Sequence, residues 1–229
     1  MKVQAEFSRH ASHYGEYNVI QNKVAQKMVQ DLEVQPKRII DLGCGSGTLY
    51  RHINWELDRY LGIDFSHEML ALHPQTKGVQ CIWGDFNDPG LFKNIDSSDF
   101  DFLFSASALQ WAEDLQMPLR SIAALKLPYS LSIFTSGTFK TLHHTAQTTA
   151  VLRSSEKVKE LVQAYLPDAS MEKVEYTLSF ESVREMFRYI KKSGVSGSRQ
   201  VLNYKETKAL MQNYPLKYLE FEVLFIRSY

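Results

Sequence analysis

The sequence is poor in cysteine, in net charge and in long apolar runs. Its 229 residues contain two cysteines, Cys44 and Cys81, which excludes a disulfide scaffold and gives no cysteine-based zinc cluster. The 26 basic and 26 acidic side chains cancel, so no net charge recruits nucleic acid or a membrane. No run of 18 apolar residues predicts a membrane span, and residues 1–18 lack an apolar signal core. We therefore expect a cytoplasmic protein.

Two common glycine-rich nucleotide signatures are also missing. An apolar run ends at Asp41, and Gly43, Gly45 and Gly47 follow at every second position. This is not the G-x-G-x-x-G of dinucleotide sites, and no lysine follows, as a triphosphate loop would require. A strand that ends in such a turn and then opens a helix forms a ligand crevice at the carboxyl end of a parallel sheet. We predict that crevice here, with a helix over residues 48–55; a tight turn without a ligand is the alternative.

Three further apolar runs end in polar residues. The run over residues 60–64 ends in Asp64, whose carboxylate can accept hydrogen bonds from both ribose hydroxyls. The run over residues 79–85 ends in Asp85, which can reach an adenine amino group. Residues 100–106 form a fourth run, and helical patterns separate these segments. The alternation predicts an α/β fold with a parallel sheet.

Together the four runs resemble the sequential motifs of the class I S-adenosylmethionine-dependent methyltransferases. The matching segments are IIDLGCGSG, LGIDFS, IWGDF and FDFLFSASALQW, within residues 36–137. The resemblance implies a Rossmann-like fold with a seven-stranded, mostly parallel sheet and an antiparallel last strand. It also implies an N-terminal helical arm and a helical cover inserted after the fifth strand. The implied cofactor is S-adenosyl-L-methionine, with S-adenosylhomocysteine as product.

The resemblance also implies a set of cofactor-binding residues. The glycine-rich stretch would surround the methionine and ribose, Asp64 the ribose hydroxyls and Asp85 the adenine, with residues 105–109 along the methionine. The implied set is Gln21, Asp41, Gly43, Cys44, Gly45, Gly47, Asp64, Phe65, Asp85, Phe86, Ser105 and Ala106.

Three outlying segments resemble the malonyl-acyl-carrier-protein O-methyltransferases of biotin synthesis. They are FSRHASHYGEYNVIQNKVA near the start, SASALQW after the fourth strand, and residues 186–226. Tyr14 and Gln21 match the first segment, and Gln110 with Trp111 matches the second. The resemblance implies methylation of the free carboxylate of a malonyl thioester, on acyl carrier protein or coenzyme A.

The catalytic candidates follow from that chemistry. A carboxylate is ionised at pH 7 and needs no general base, so a cation must hold it and other groups must position it. We expect Tyr14 to close over the methyl group, and Trp111 either to form the floor of the site or to pack ordinarily. The cation is one of Arg153, His143, His144 and Lys191; the named catalytic candidates are Tyr14, Trp111, Arg153 and His143.

The second half of the chain offers a basic surface. Residues 182–192 form an amphipathic helical pattern with basic residues on one face, which suits an acidic acyl carrier protein; a solvated helix face is the alternative. The docking candidates are Arg184, Arg188, Lys191, Lys192 and Arg199.

We expect a single domain over residues 1–229. Its parts are an arm and helix (1–35), a cofactor-binding core (36–137), a substrate cover (138–200), and a final helix and strand (201–229). Two other functions stay open. One is a methyltransferase acting on another small carboxylate, a phenol or a quinone, and the other is a non-catalytic partner protein that binds S-adenosylmethionine.

Overall fold

The computed structural model describes residues 18–193 and 204–228. The helices are α1 (Val19–Gln30), α2 (His67–Leu72), α3 (Pro89–Lys93), α4 (Gln116–Leu125), α5 (Lys140–Thr145), α6 (Ser155–Tyr165), α7 (Val183–Ser193) and α8 (Tyr204–Asn213). The strands are β1 (Arg38–Leu42), β2 (Arg59–Asp64), β3 (Val79–Trp83), β4 (Phe102–Ala106), β5 (Tyr129–Phe134), β6 (Ser170–Ser179) and β7 (Tyr218–Arg227). Within these residues no helix has the length and apolarity that crossing a bilayer requires.

The seven strands form one sheet in the order β3-β2-β1-β4-β5-β7-β6. Strands β1 to β5 are parallel, and β7 runs antiparallel to both β5 and β6. This confirms the predicted seven-stranded, mostly parallel sheet. The strand order reverses between β1 and β4, and a doubly wound sheet binds its ligand at the carboxyl ends of the strands flanking that point.

Helices cover both faces of the sheet. Adjacent residues of β1 face opposite sides, so that Ile39 and Ile40 belong to two separate apolar clusters. The Ile39 cluster includes Val24 of α1, and the Ile40 cluster includes Leu119 of α4 and Val158 of α6. The apolar residues Ile20, Val24 and Met28 of α1 recur at every fourth position and therefore face the sheet.

The prediction of a helix over residues 48–55 is wrong. A single 3-10 turn, Tyr50–His52, follows the glycine loop, and the backbone is extended again at Ile53. The indole N–H of Trp55 donates to the carbonyl of Pro36 over 2.8 Å, before the start of β1. The chain must run back along the whole of β1, and an α-helix advances only ~1.5 Å per residue. Extended backbone covers that distance where a helix would fall short.

The sheet also includes a strand that the sequence analysis does not locate. Strand β6 pairs with β7 along its ten residues and lies at the edge of the sheet, inside the range 138–200 expected to form a cover. Charged residues such as Glu172, Lys173 and Glu175 interrupt its apolar pattern, because one of its edges has no neighbouring strand. Helix α6 also packs into the core, so a cover is confined to shorter segments of that range.

Candidate functional site

The glycine loop after β1 has backbone angles that favour glycine, most strongly at Gly43 and Gly47. Gly43, Gly45 and Gly47 all have positive φ angles, of 79°, 54° and 85°. The N–H groups of Gly43 and Cys44 both donate to the carbonyl of Ile63, over 2.7 and 3.1 Å, which ties the loop to the end of β2. A Cβ at Gly43 would lie only 2.2 Å from the Cβ of Ala108. The loop after β4 thus leaves no room for a side chain there.

Asp64 holds the loop from the end of β2. Its Oδ2 accepts from the N–H of Gly45 over 2.9 Å, and its Oδ1 accepts from the N–H of Ser66 over 2.8 Å. Burial raises the pKa of this carboxyl, and the hydrogen bonds from the backbone oppose that rise. Ser66 caps helix α2, since its hydroxyl accepts from the N–H of Met69. One carboxylate therefore orients two loops around the same crevice.

Asp41 lies at the bottom of the crevice and is 1% exposed. The Tyr60 hydroxyl donates to its Oδ2 over 2.6 Å. Burial raises the pKa of Asp41 to about 7, the Tyr60 hydrogen bond lowers it, and the charge of Asp64 raises it further. Its Oδ1 and the Oε1 of Gln21 are buried acceptors without a hydrogen-bond partner among the described residues. Such acceptors usually have a partner, so a ligand with N–H donors suits this wall.

These groups surround a cleft at the carboxyl ends of β1, β2 and β4. Its lining combines apolar side chains with a few polar groups, as small-molecule sites usually do. Ten predicted residues line it: Gln21, Asp41, Gly43, Cys44, Gly45, Asp64, Phe65, Phe86, Ala106 and Trp111. It is also lined by Ser107 and Ala108, which lie in the predicted range 105–109, and by Ala25, Ser46, Thr48, Leu49 and Met69. Of these, Ala25 follows Gln21 by one helical turn, which is a usable sequence signal.

Comparisons with known proteins agree with this geometry. Residues 39–128 match a family described as a methyltransferase domain. A malonyl-[acyl-carrier protein] O-methyltransferase of Halorhodospira halophila is 28% identical over 218 residues, covering 86% of this chain and 72% of the relative. One from Bacillus cytotoxicus is 24% identical over 221 residues, covering 86% and 77%. The solved structure of the YcgJ protein from Bacillus subtilis shares the fold, with a TM-score of 0.65, 13% identity, and coverage of 90% and 97%.

The chain contains a methyltransferase domain over residues 39–128 and has the Rossmann-like fold of S-adenosylmethionine-dependent methyltransferases. It resembles the malonyl-[acyl-carrier protein] O-methyltransferases, with which it aligns over most of its length.

Three predicted cofactor residues of the methyltransferase are not among those that line the cleft within the described chain. The Ser105 side chain is fully buried, and its hydroxyl donates to the carbonyl of Leu42, so it joins β4 to β1. At Gly47, the side-chain position faces His73 and Pro74 instead of the cleft. Asp85 accepts from the backbone and the side-chain amide of Asn87 through one oxygen, both over 2.8 Å. These residues shape the loops behind the cleft wall.

The structure separates the catalytic candidates of the methyltransferase. Trp111 lines the cleft, whereas Arg153 and His143 do not belong to its described lining. The Arg153 guanidinium donates to the carbonyls of Ala112 and Glu113, over 2.6 and 2.9 Å. His143 contacts the hydroxyl of Thr148 over 3.1 Å, and burial lowers its pKa. His144 is exposed on α5; Tyr14 and the side chain of Lys191 lie outside the described residues.

Two of the predicted docking residues can be located. Arg184 and Arg188 are exposed and lie one turn apart on α7, whose buried residues Met186 and Tyr189 face the sheet. The side chains of Lys191 and Lys192, and all of Arg199, lie outside the described residues. The basic face is therefore described only over its first turn.

Proposed function

We propose that this methyltransferase methylates the free carboxylate of a malonyl thioester on acyl carrier protein, an early step of biotin synthesis. The observation that carries the proposal is that curated relatives named for this activity align over 86% of the chain. The match extends beyond the cofactor-binding core into the segments from which a substrate site would be built. The model of the general methyltransferase domain, by comparison, matches residues 39–128.

In this proposal the cleft holds S-adenosylmethionine, which supplies an electrophilic methyl group on sulfur when bound. We assign Asp64 to the ribose hydroxyls, because its fixed carboxylate retains acceptor capacity beside its two backbone bonds. The unpaired oxygens of Asp41 and Gln21 suit a cationic amino group. These residues fit the cofactor both in chemistry and in burial.

The acceptor needs positioning more than deprotonation. A malonyl carboxylate is ionised at pH 7, so the chain need not remove a proton from it. Holding two reacting groups in a productive geometry can be worth ~7–11 kcal/mol. Trp111 supplies a rigid aromatic wall at the cleft, and we assign Tyr14 to closing over the acceptor.

Docking of the carrier is assigned to the basic face of α7. Arg184 and Arg188 are exposed there, and an acidic carrier protein would be attracted to them at low salt. Because such attraction is screened over ~10 Å at 0.1 M salt, its effect should shrink as salt is added. Coenzyme A thioesters should depend less on this surface.

The test uses the full chain, S-adenosylmethionine with a labelled methyl group, two acyl carriers, and a panel of unrelated carboxylates, phenols and quinones. We expect label on malonyl-carrier protein and none on acetyl-carrier protein, which has no free carboxylate. Equal labelling of both carriers, or of neither, would overturn the assignment of the malonyl thioester as substrate. Label that appears only with an unrelated carboxylate, phenol or quinone would favour the general methyltransferase instead.

A charge-reversal pair tests the docking face. Arg184→Glu with Arg188→Glu should lower kcat/KM for malonyl-carrier protein by about tenfold at low salt and leave malonyl-coenzyme A nearly unchanged. The control pair, Lys93→Glu with Arg120→Glu, reverses the same amount of charge at exposed positions on α3 and α4, which cover the opposite face of the sheet. Equal losses in both pairs would rule out docking at α7.

A further inference from the structure

Two cysteines and a histidine meet beneath the glycine loop. One ligand atom from each of Cys44, His73 and Cys81 lies within 4.8 Å of the other two. Cys44 and His73 are 5% and 2% exposed, and Cys81 is partly buried. We propose that these three side chains bind one thiophilic divalent cation, Zn²⁺ being the probe of choice. The site lies behind the cofactor cleft and does not depend on the proposed methyl acceptor.

The fold brings the two sulfurs together across a strand. Gly62 in β2 lies beside Asp41 of β1 and Cys81 of β3 in the sheet register. A Cβ at Gly62 would lie 2.9 Å from Sγ of Cys44 and 3.2 Å from Sγ of Cys81. Because Gly62 has no side chain, both sulfurs occupy the space above it. The cysteines are far apart in sequence, which is why their spacing gives no metal motif.

His73 is already oriented as a metal ligand. Its Nδ1 lies 3.0 Å from the carbonyl of Pro74, which can only accept, so Nδ1 carries the proton and donates. Nε2 is then the nitrogen with a lone pair, and it points inward, 3.4 Å from the hydroxyl of Tyr60. Zinc-bound histidines commonly donate their second ring N–H to a backbone carbonyl in this way. The bond fixes both the tautomer and the ring orientation.

The distances and charges favour a divalent ion. Tetrahedral zinc, with Zn–S of ~2.3 Å, places two sulfurs about 3.8 Å apart, so the cluster needs to contract by no more than about 1 Å. Two thiolates, a neutral imidazole and Zn²⁺ form an uncharged group when the two thiol protons leave to solvent. A monovalent copper ion would leave one negative charge close to buried Asp41 and Asp64. Zinc with three protein ligands leaves one coordination position.

A metal ion bound to these three side chains would anchor the glycine loop to neighbouring elements. Cys44 stands between Gly43 and Gly45, and its sulfur would be joined to β3 through Cys81 and to the end of α2 through His73. An ion that binds the folded chain and not the unfolded chain stabilises it by mass action. We therefore expect Zn²⁺ to raise the thermal unfolding midpoint of the protein.

The first test is direct metal binding by the full chain. Reduced, chelator-treated protein is titrated with Zn²⁺ and, separately, with Co²⁺. We expect one equivalent per chain and, with cobalt, the absorption of thiolate-to-metal charge transfer. The chain has two cysteines in all, so this absorption reports on Cys44 and Cys81 even if other histidines bind metal. Folded wild-type protein that gives no such absorption would overturn the site.

Matched variants test the ligand set. Cys81→Ser and His73→Gln should each weaken cobalt binding by at least about tenfold, as losses around zinc sites do. The control is His52→Gln, a histidine whose Nε2 contacts the amide oxygen of Asn22, outside the cluster. Unchanged binding in His73→Gln would overturn the three-ligand site. A protein that transfers methyl groups yet binds no Zn²⁺ would overturn this inference alone and leave the proposed function intact.

Discussion

Asp64 and Gly45 are joined by a hydrogen bond that links the two loops of the cofactor site. The N–H of Gly45 donates to Oδ2 of Asp64 over 2.9 Å, across 19 residues of chain. The other oxygen of Asp64 accepts from the N–H of Ser66. A carboxylate that accepts from two fixed N–H groups is held in one orientation. The end of β2 therefore sets the shape of the loop after β1.

Asp64→Asn tests this link. An amide has one acceptor oxygen, so its NH₂ group must face one of the two N–H donors. We expect the affinity for S-adenosylhomocysteine to fall by about 10- to 100-fold, since leaving a buried donor unsatisfied costs ~1–3 kcal/mol. Isothermal titration calorimetry of the full chain measures this.

The matched control for Asp64 is Asp88→Asn. Asp88 caps α3 by accepting from the N–H of Gly90 over 2.8 Å, and it is exposed and outside the cleft lining. It should leave cofactor affinity unchanged. Equal affinities for the wild type and Asp64→Asn would show that the Gly45 bond does not shape the cleft.

Gly43→Ala tests the close approach of the loops after β1 and β4. The new Cβ would lie 2.2 Å from the Cβ of Ala108, and φ of 79° adds a penalty of ~1–2 kcal/mol for any side chain. Both loops would have to separate. We expect cofactor binding to be lost and the free energy of unfolding to fall by about 3 kcal/mol or more, as measured by urea denaturation.

Gly78→Ala separates backbone strain from damage to the cleft. Gly78 has a φ of 85°, and a Cβ added there would lie nearest to the carbonyl oxygen of Asp58. Neither residue is among those that line the cleft. This variant should lose stability but keep its cofactor affinity. If Gly43→Ala also lost stability but kept its cofactor affinity, the close approach of Gly43 to Ala108 would not be needed for cofactor binding.

The parts of the fold that sequence predicts are those with local signals. Asp41 and Asp64 each end an apolar run, and β1 and β2 bring them to the same edge of the sheet. Strand β6 was missed because an edge strand needs no continuous apolar pattern, and its place depends on β7. The short 3-10 turn after the glycine loop was also missed. It depends on the hydrogen bond from Trp55 to the carbonyl of Pro36, which is a tertiary contact.

The candidate site also has residues that a local sequence signal predicts and others that depend on tertiary contacts. The glycine loop can be predicted because positive φ angles at Gly43 and Gly47 favour glycine and leave a visible spacing in the sequence. The roles of Ser105 and Gly47 were not predicted, because whether a residue lines a cleft or supports it depends on the side chains opposite. The cluster of Cys44, His73 and Cys81 has no sequence signature, since Gly62 between the sulfurs creates it.

Asp41 predicts an unusual dependence of stability on pH. Its pKa is raised from its ordinary 3.8 to about 7, chiefly by burial. Between these values the folded protein holds a proton that the unfolded chain has released, so stability falls as pH rises through this window and is level above it. Relative to Asp41→Asn, the free energy of unfolding of the wild type should fall by on the order of 4 kcal/mol from pH ~4 to ~8.

Denaturant unfolding at several pH values measures the Asp41 effect. The Asn variant keeps an oxygen acceptor for the Tyr60 hydroxyl, so the difference between the two curves isolates the titration. Asp88→Asn, at an exposed position, should follow the wild type. Parallel stability curves for the wild type and Asp41→Asn would show that Asp41 is ionised at the same pH in both states.

Substitutions of Arg153 test whether its guanidinium binds the substrate carboxylate or positions Trp111. Its guanidinium donates to the carbonyls of Ala112 and Glu113, in the segment that follows Trp111. We expect it to hold the Trp111 wall of the cleft. Arg153→Lys and Arg153→Ala should then both weaken S-adenosylhomocysteine binding, measured without any acceptor, by roughly threefold to tenfold, because Ala removes the donors and Lys lacks the planar guanidinium that places them.

A substrate-binding role would give the opposite pattern for Arg153. A cation that meets only the acceptor carboxylate would leave the affinity for S-adenosylhomocysteine unchanged and raise KM for the malonyl substrate, with Lys retaining more activity than Ala. Arg120→Ala is the control, because Arg120 is exposed on α4 and its guanidinium stacks over Tyr165. Cofactor binding is therefore the deciding measurement, since it is made before the malonyl carboxylate is present.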